Sequence, residues 1–418
     1  MNRGFSAACI AVGSELLGDD RVDTNSLRIA RALARYGVPV LEKRVIGDSV
    51  ERLSESIGEL LDRVDVLVVT GGLGPTRDDV TREAAADALG RELVHNPEVE
   101  DWVRSRYEDL GRPMPELCRK MADVIRGASV LKNPRGAAPG QMISTRNHLL
   151  VLLPGVPWEM EVMFEREVLP EVATRSPGVC VRQRTVLLGG VFESAVEERL
   201  ELFYQRFGRE HISVLASCGV VRLVLSLAGS DNAVEIRLSE MESVLRDILG
   251  TDVAGVDVGG LEHAVLSRLS AASQTLAVAE SCTGGLLAAR ITDVPGASDV
   301  FLGGVVTYSN QAKEDFVDVP RAMLVEHGAV SEPVARAMAA GVRARFGSDW
   351  GVGITGIAGP SGGTEDKPVG LVHWAVAGPT DTVSEHRVFP GDRAAIRTWT
   401  VNLSLDLLRR RMDLVAPG

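Results

Sequence analysis

The sequence has no apolar run long enough to span a bilayer, no CxxC pair and no surplus of positive charge. The first absence excludes a membrane-spanning helix. The second gives no zinc motif; Cys9, Cys118, Cys180, Cys218 and Cys282 are scattered and odd in number, which fits reduced thiols in a cytoplasmic protein. The formal charge of −12 argues against direct nucleic-acid binding, which needs a basic surface to displace counterions. Phosphorylated small molecules stay open, because backbone N–H groups bind them without net positive charge. The N-terminal apolar run leads into a charged loop rather than a cleavage site, and reads as a first strand. No GxxxxG spacing is followed by a P-loop lysine.

What is present is alternation. Its 418 residues suggest about three domains at roughly 150 residues each. AACIAVG, VPVLEKRVI, VDVLVVT and LLVLLPG read as strands separated by amphipathic helices, the order of a parallel sheet covered on both faces. A different pattern follows: RTVLLGG, a helix FESAVEERLELF, strands around ISVLAS and VVRLVLSLAG, then a helix from Asn232 to Leu249. This reads as a small α+β domain of KH-like topology, although its GG pair lacks the basic GxxG context of an RNA-binding loop. After TDVAGVDVGG the strand–helix alternation resumes to the end. The expected fold class is therefore α/β: two parallel-sheet-based α/β domains, 1–172 and 253–418, with the small domain 173–252 between them.

In open α/β sheets chemistry gathers where strands end and helices begin. AESCTGG is such a place. Ser281 is either a helix cap or a nucleophile, with Cys282 as rival; side chains alternate along a strand, so only one of the two enters a cleft. The N–H groups of Thr283, Gly284 and Gly285 at the helix start could hold an oxyanion. His263 and His327 sit in ordinary amphipathic helices and make poor bases. Lys313, five residues after Tyr308 in VVTYSNQAKEDF, is a better one, since a desolvated lysine accepts a proton. Tyr308 could relay the proton or orient the lysine. The loop TGIAGPSGGTEDKPVG, with Thr355, Gly356, Gly359, Gly362 and Gly363, allows close approach of a phosphate.

In the N-terminal region TGGLGPTRDDVTRE follows a strand and opens a helix, so Gly71, Gly72, Gly74 and Thr76 suit an anionic ligand. Asp78 and Asp79, joined by Asp48 at another strand end, could hold a divalent cation bridging to phosphate; the plainer reading is that aspartates at a helix start favour its dipole. NPRGAAPG, with Asn133, Gly136 and Gly140, and PGVPWEM could line the same cleft.

In their order and spacing, AESCTGG, FLGGVVTYSNQAK, HGAVSEPVARAMA, TGIAGPSGGTEDKPVG and FPGDR resemble the C-terminal domain of the CinA (competence/damage-inducible) family, from about Gly260 to Met412. The resemblance implies deamidation of nicotinamide mononucleotide to nicotinate mononucleotide and ammonia, in bacterial pyridine nucleotide salvage, without a cofactor. It implies Ser281 as nucleophile, Tyr308 and Lys313 activating it, the Thr283–Gly285 backbone at the oxyanion, and the loop from Gly356 to Gly363 with Arg393 holding ribose and phosphate.

GSELL…DTN, TGGLGPTRDDVTRE, NPRGAAPG and PGVPWEM resemble the molybdopterin-binding domain in the version fused to CinA. That implies an ADP-ribose pyrophosphatase yielding AMP and ribose 5-phosphate, dependent on magnesium, manganese or cobalt and on potassium, with Asp48 and Asp79 carried over to metal or substrate. Asp19 stands where that family usually has glycine. A homodimer is expected from the resemblance. Two other readings are a deamidase with a pterin- or nucleotide-binding N-terminal module, and a non-catalytic adaptor in competence or DNA repair.

Overall fold

The structure is a computed structural model that describes residues 5–19, 21–109, 111–145, 148–176, 181–229 and 232–415; Cys180 lies outside them. The chain divides into two compact units, one ending at Arg182 and including Ala228–Val234, the other formed by Gln183–Leu227 and the chain from Glu235 onward. No helix among the described residues is long and apolar enough to cross a membrane.

In the first unit the strands are β1 (Ala7–Val12), β2 (Val40–Ile46), β3 (Val66–Thr70), β4 (Leu93–His95), β5 (Asp123–Ile125), β6 (Ser129–Leu131), β7 (Gly140–Ser144) and β8 (Leu149–Leu153). The helices are α1 (Asn25–Ala34), α2 (Val50–Leu61), α3 (Thr81–Ala88), α4 (Pro97–Asp109), α5 (Pro157–Met163) and α6 (Leu169–Arg175). The main sheet runs β2-β1-β3-β8-β7-β6. Its first four strands are parallel, as expected; β7 and β6 extend it antiparallel. The continuous apolar strands divide between two cores by simple alternation. Ala8, Ile10, Leu67, Val69, Leu150 and Leu152 face α2 and α3, while Ala7, Cys9, Val66, Val68, Leu149 and Val151 face α1, α5 and α6.

The middle of the chain, most of it in the second unit, holds β9 (Val181–Gly189), α7 (Glu193–Arg199), α8 (Glu201–Phe207), β10 (Ile212–Ser217), β11 (Val220–Ala228), α9 (Asn232–Leu249) and β12 (Val253–Val256), in a sheet ordered β10-β11-β9-β12. The expected boundary at 252/253 falls inside this sheet: β12 pairs antiparallel with β9. Leu187 of β9 and Ala254 of β12 share one core with the strands that follow. TDVAGVDVGG reads as a linker because its glycines and aspartates hide a four-residue strand.

The remaining elements are α10 (Leu261–Ala272), β13 (Leu276–Glu280), α11 (Leu286–Thr292), β14 (Phe301–Val306), α12 (Asn310–Val317), α13 (Arg321–His327), α14 (Glu332–Phe346), β15 (Trp350–Gly356), β16 (Leu371–Ala377), β17 (Thr382–Val388) and α15 (Arg393–Val415). The sheet runs β14-β13-β15-β16-β17, with β14, β13 and β15 parallel and β16 and β17 antiparallel. Along β13, Leu276 and Val278 join the core built with α10, α11 and α15, whereas Ala277 and Ala279 join Val317, Leu324, Val334 and Met338 on the opposite face. That alternation decides where the next residues point.

Candidate active site

Continuing the alternation of β13, Glu280 belongs with Leu276 and Val278, and Ser281 with Ala277 and Ala279, on the side of α12. Ser309 caps α12 by accepting the Ala312 N–H at 3.1 Å, which places Lys313 in its first turn. Lys313 is 1% exposed and Ser281 8%. Lys313 Nζ donates to Ser281 Oγ at 3.1 Å, to the Thr307 carbonyl at 2.8 Å and to the Tyr308 carbonyl at 3.5 Å. No carboxylate pairs with it among the described residues. Burial pulls its pKa below the ordinary lysine value, with Cys282 acting weakly in the other direction. Once deprotonated, the amine gives its two hydrogens to the Thr307 and Tyr308 carbonyls and turns its lone pair toward Ser281 Oγ. Cys282 turns the other way, into the core with Leu287 and Ile291, and burial pushes its thiol up to about 12. It is a packing residue.

Two expectations about this site change. Tyr308 does approach Lys313, but through its carbonyl. Its ring is exposed, and its hydroxyl accepts a hydrogen bond from Arg393 at 3.3 Å. The phenol is therefore not the lysine's orienting group. Of the three expected oxyanion donors, Gly284 N–H donates to the Ser281 carbonyl at 3.1 Å and Gly285 N–H to Glu280 at 3.1 Å. Thr283 alone of the three has an N–H with no partner among the described residues, but the residue is fully buried, so none of the three presents a free donor to a cleft.

Arg393 also donates to the Gly359 carbonyl at 2.8 Å, joining the glycine loop to Tyr308. One helical turn on, Arg397 donates to the Thr283 carbonyl at 2.6 and 3.2 Å. Sequence reasoning missed Arg397; its spacing of four from Arg393 on one helix was the available signal. A chain of hydrogen bonds thus connects Ser281, Lys313, Tyr308, Arg393 and Gly359. Thr355 is committed elsewhere, its hydroxyl donating to Ala329 at 2.7 Å. Gly356, Gly359 and Gly363 are required by the loop's own packing, since a Cβ would lie within 2.8 Å of Val372 or Leu371, of Val369, and of the Val369 nitrogen respectively. Of these four glycines only Gly362 is free of a close contact, a Cβ there meeting Ile357 at 3.8 Å.

In the first unit the loop after β3 is closed on itself. Asp79 accepts from Gly74 N–H, Thr76 N–H and Thr76 Oγ at 2.8, 2.8 and 2.6 Å. Buried Arg82 donates to the Leu73 and Gly74 carbonyls at 2.7 and 2.8 Å, and burial lowers its pKa. Thr81 Oγ donates to Gly71, and Gly71 N–H to Leu153; Gly72 takes φ +63 with Thr81 filling its Cβ space. Asp48 accepts the Ser14 N–H at 3.0 Å. Asp78 alone of the three aspartates is exposed and without a partner among the described residues. Asn133 donates to Glu159 at 2.6 Å, a Cβ on Gly136 would strike the same carboxylate, and Gly140 packs against the Leu152 carbonyl; these three residues shape the loop rather than present groups to a ligand.

No group of three or more His, Cys, Asp or Glu side chains among the described residues is placed to hold a metal ion. Asp48, Asp78 and Asp79 therefore do not form a protein-built metal cage, and two of them already serve the backbone.

Residues 259–412 match the family model described as the CinA C-terminal domain, and residues 8–174 the one described as a probable molybdopterin binding domain. The chain is 40% identical to a CinA-like protein of Solibacter usitatus, over 98% of each chain. It is 43% identical to one of Frankia casuarinae, over 97% of this chain and 96% of the other. Among solved structures, the competence/damage inducible protein CihA from Agrobacterium tumefaciens shares 39% identity over 35% of this chain and 91% of its own, with a TM-score of 0.35. The protein CinA from Thermoplasma acidophilum shares 31% over 38% and 94%, with a TM-score of 0.36.

Proposed function

The chain belongs to the family of CinA-like proteins, and from that premise we propose that its C-terminal site is a serine amidase that deamidates nicotinamide mononucleotide. The observation that carries this reading is the buried Lys313 amine, unpaired with any acid among the described residues and 3.1 Å from Ser281 Oγ. A serine–lysine pair needs only a lysine kept neutral beside a hydroxyl. Lys313 takes the Ser281 proton as the oxygen attacks the carboxamide carbon. The protonated lysine returns its proton to the amide nitrogen, ammonia leaves, and an ester to Ser281 remains. Lys313 then activates water, which releases nicotinate mononucleotide and free serine. Arg393 and the loop around Gly359 and Gly362 supply the positive charge and the close approach that a ribose phosphate requires. Rapid quenching during turnover tests this: the account expects a nicotinoyl-nucleotide ester on Ser281 by mass spectrometry, and an acyl group on any other residue contradicts it.

For the N-terminal unit we propose binding of a phosphorylated pterin or nucleotide at the loop from Gly71 to Asp79. Hydrolysis of ADP-ribose with magnesium, manganese or cobalt and potassium is the finer proposal. Its support is the family and the carboxylate of Asp78, which has no partner among the described residues; those residues assemble no set of metal ligands. Calorimetric titration with ADP-ribose, with and without magnesium, separates binding from turnover. No binding of ADP-ribose in either condition sinks the hydrolysis proposal and leaves only the pterin form of the binding one.

A further inference from the structure

Glu280 ends an otherwise apolar strand and is 1% exposed, yet no lysine or arginine pairs with it among the described residues. Its carboxylate accepts the N–H groups of Gly285 and Leu287 on one oxygen, both at 3.1 Å, and of Ala288 on the other at 2.8 Å. A carboxylate can leave water only when its oxygens are satisfied in this way, and hydrogen bonds to an anion are stronger than those to a neutral acceptor. The side chain immediately before Ser281 therefore closes the whole segment from 280 to 288. Within that closure Gly284 and Gly285 adopt φ +58 and +91, conformations that favour glycine. Ser281 N–H is fixed to the Ile354 carbonyl at 3.0 Å, and the Thr283 carbonyl to Arg397.

We propose that Glu280 is a positioning residue of the amidase site: by tying Gly285, Leu287 and Ala288 to the end of β13, it holds Ser281 against Lys313. The inference rests on the amidase reading of Ser281 and Lys313. Glu280 takes no part in proton transfer, because alternation along β13 puts its carboxylate on the α11 face, away from Lys313.

The test compares wild type with E280Q and E280A, using both nicotinamide mononucleotide turnover and labelling of Ser281 by a fluorophosphonate. In E280Q kcat should fall about 100-fold, the order of loss for a nucleophile displaced by about an ångström, while KM stays near wild type because ribose and phosphate are held elsewhere. E280A should lose more, since Gln keeps one acceptor oxygen. The labelling rate should fall with kcat, but its final extent should stay complete, which a partly unfolded protein would not show. Wild-type kcat and labelling rate in folded E280Q overturn the proposal. Should E280Q not fold, hydrogen exchange on the wild-type protein decides: the amides of Gly285, Leu287 and Ala288 are expected to be protected, and exchange at open-peptide rates overturns the proposal. If wild type labels at Ser281 but releases no ammonia, the substrate reading fails while the labelling comparison still judges Glu280.

Discussion

At the scale of single residues, the proposed chemistry depends on the Lys313 amine, whose pKa burial lowers. The free enzyme should gain activity as pH rises through the lowered pKa of Lys313, because only the deprotonated amine can take the serine proton; protonation on the acid side removes the base. The acid limb of kcat/KM should therefore lie below the ordinary lysine value of about 10.4. A limb at that ordinary value would mean the amine is not desolvated in solution. Lys313→Arg should reduce deamidation to background, since a guanidinium does not deprotonate, and substantial turnover would remove Lys313 from the mechanism. Replacing Tyr308 by Phe has a different expected signature. Its hydroxyl meets Arg393 rather than Lys313, so KM should rise more than kcat falls.

At the scale of elements, strands and helices were legible wherever apolar residues repeat with a clear period. β1, β3, β8 and β13 fell where the sequence placed them, and the alternation of β13 correctly separated Ser281 from Cys282. Hydrogen-bond ownership was not legible. Nothing in a GG pair shows that its N–H groups will be taken by a neighbouring carboxylate. The clue was Glu280 itself, an acid inside LAVAE, which is costly there unless paired. Asp79 of the N-terminal loop shows the same thing. Asp79 looks like a metal ligand by position, yet its oxygens organise Gly74 and Thr76. Asp79→Ala should accordingly destabilise the N-terminal unit by about 0.5–1.5 kcal/mol, the net worth of a hydrogen bond whose donors water can still reach. Denaturant unfolding should show that loss equally with and without magnesium. A loss that appears only with the metal present would assign Asp79 to metal binding after all.

At the scale of the molecule, the sequence suggested three domains, while contacts join the middle sheet to the C-terminal core. Asp406 is central to that union: it pairs with Arg409 and Arg410 at 2.6 Å, and Arg410 also reaches Asp252 and the Gly189 carbonyl at 2.9 Å. Removing one partner of a buried pair strands the other charges, so Asp406→Ala should cost about 3–5 kcal/mol. Calorimetry should show the middle sheet and C-terminal core losing stability together; loss confined to one of them would restore a boundary near residue 252. The amidase mechanism uses no metal, so chelation should leave ammonia release intact. Arrest of deamidation by a chelator would mean the chemistry has been divided wrongly between the two units.

Ammonia release from nicotinamide mononucleotide, measured on purified wild type, Ser281→Ala and Cys282→Ser proteins, tests the central claim most directly. The account predicts turnover by wild type and Cys282→Ser, and none by folded Ser281→Ala. Activity retained in Ser281→Ala, or silence from the wild type, would contradict it.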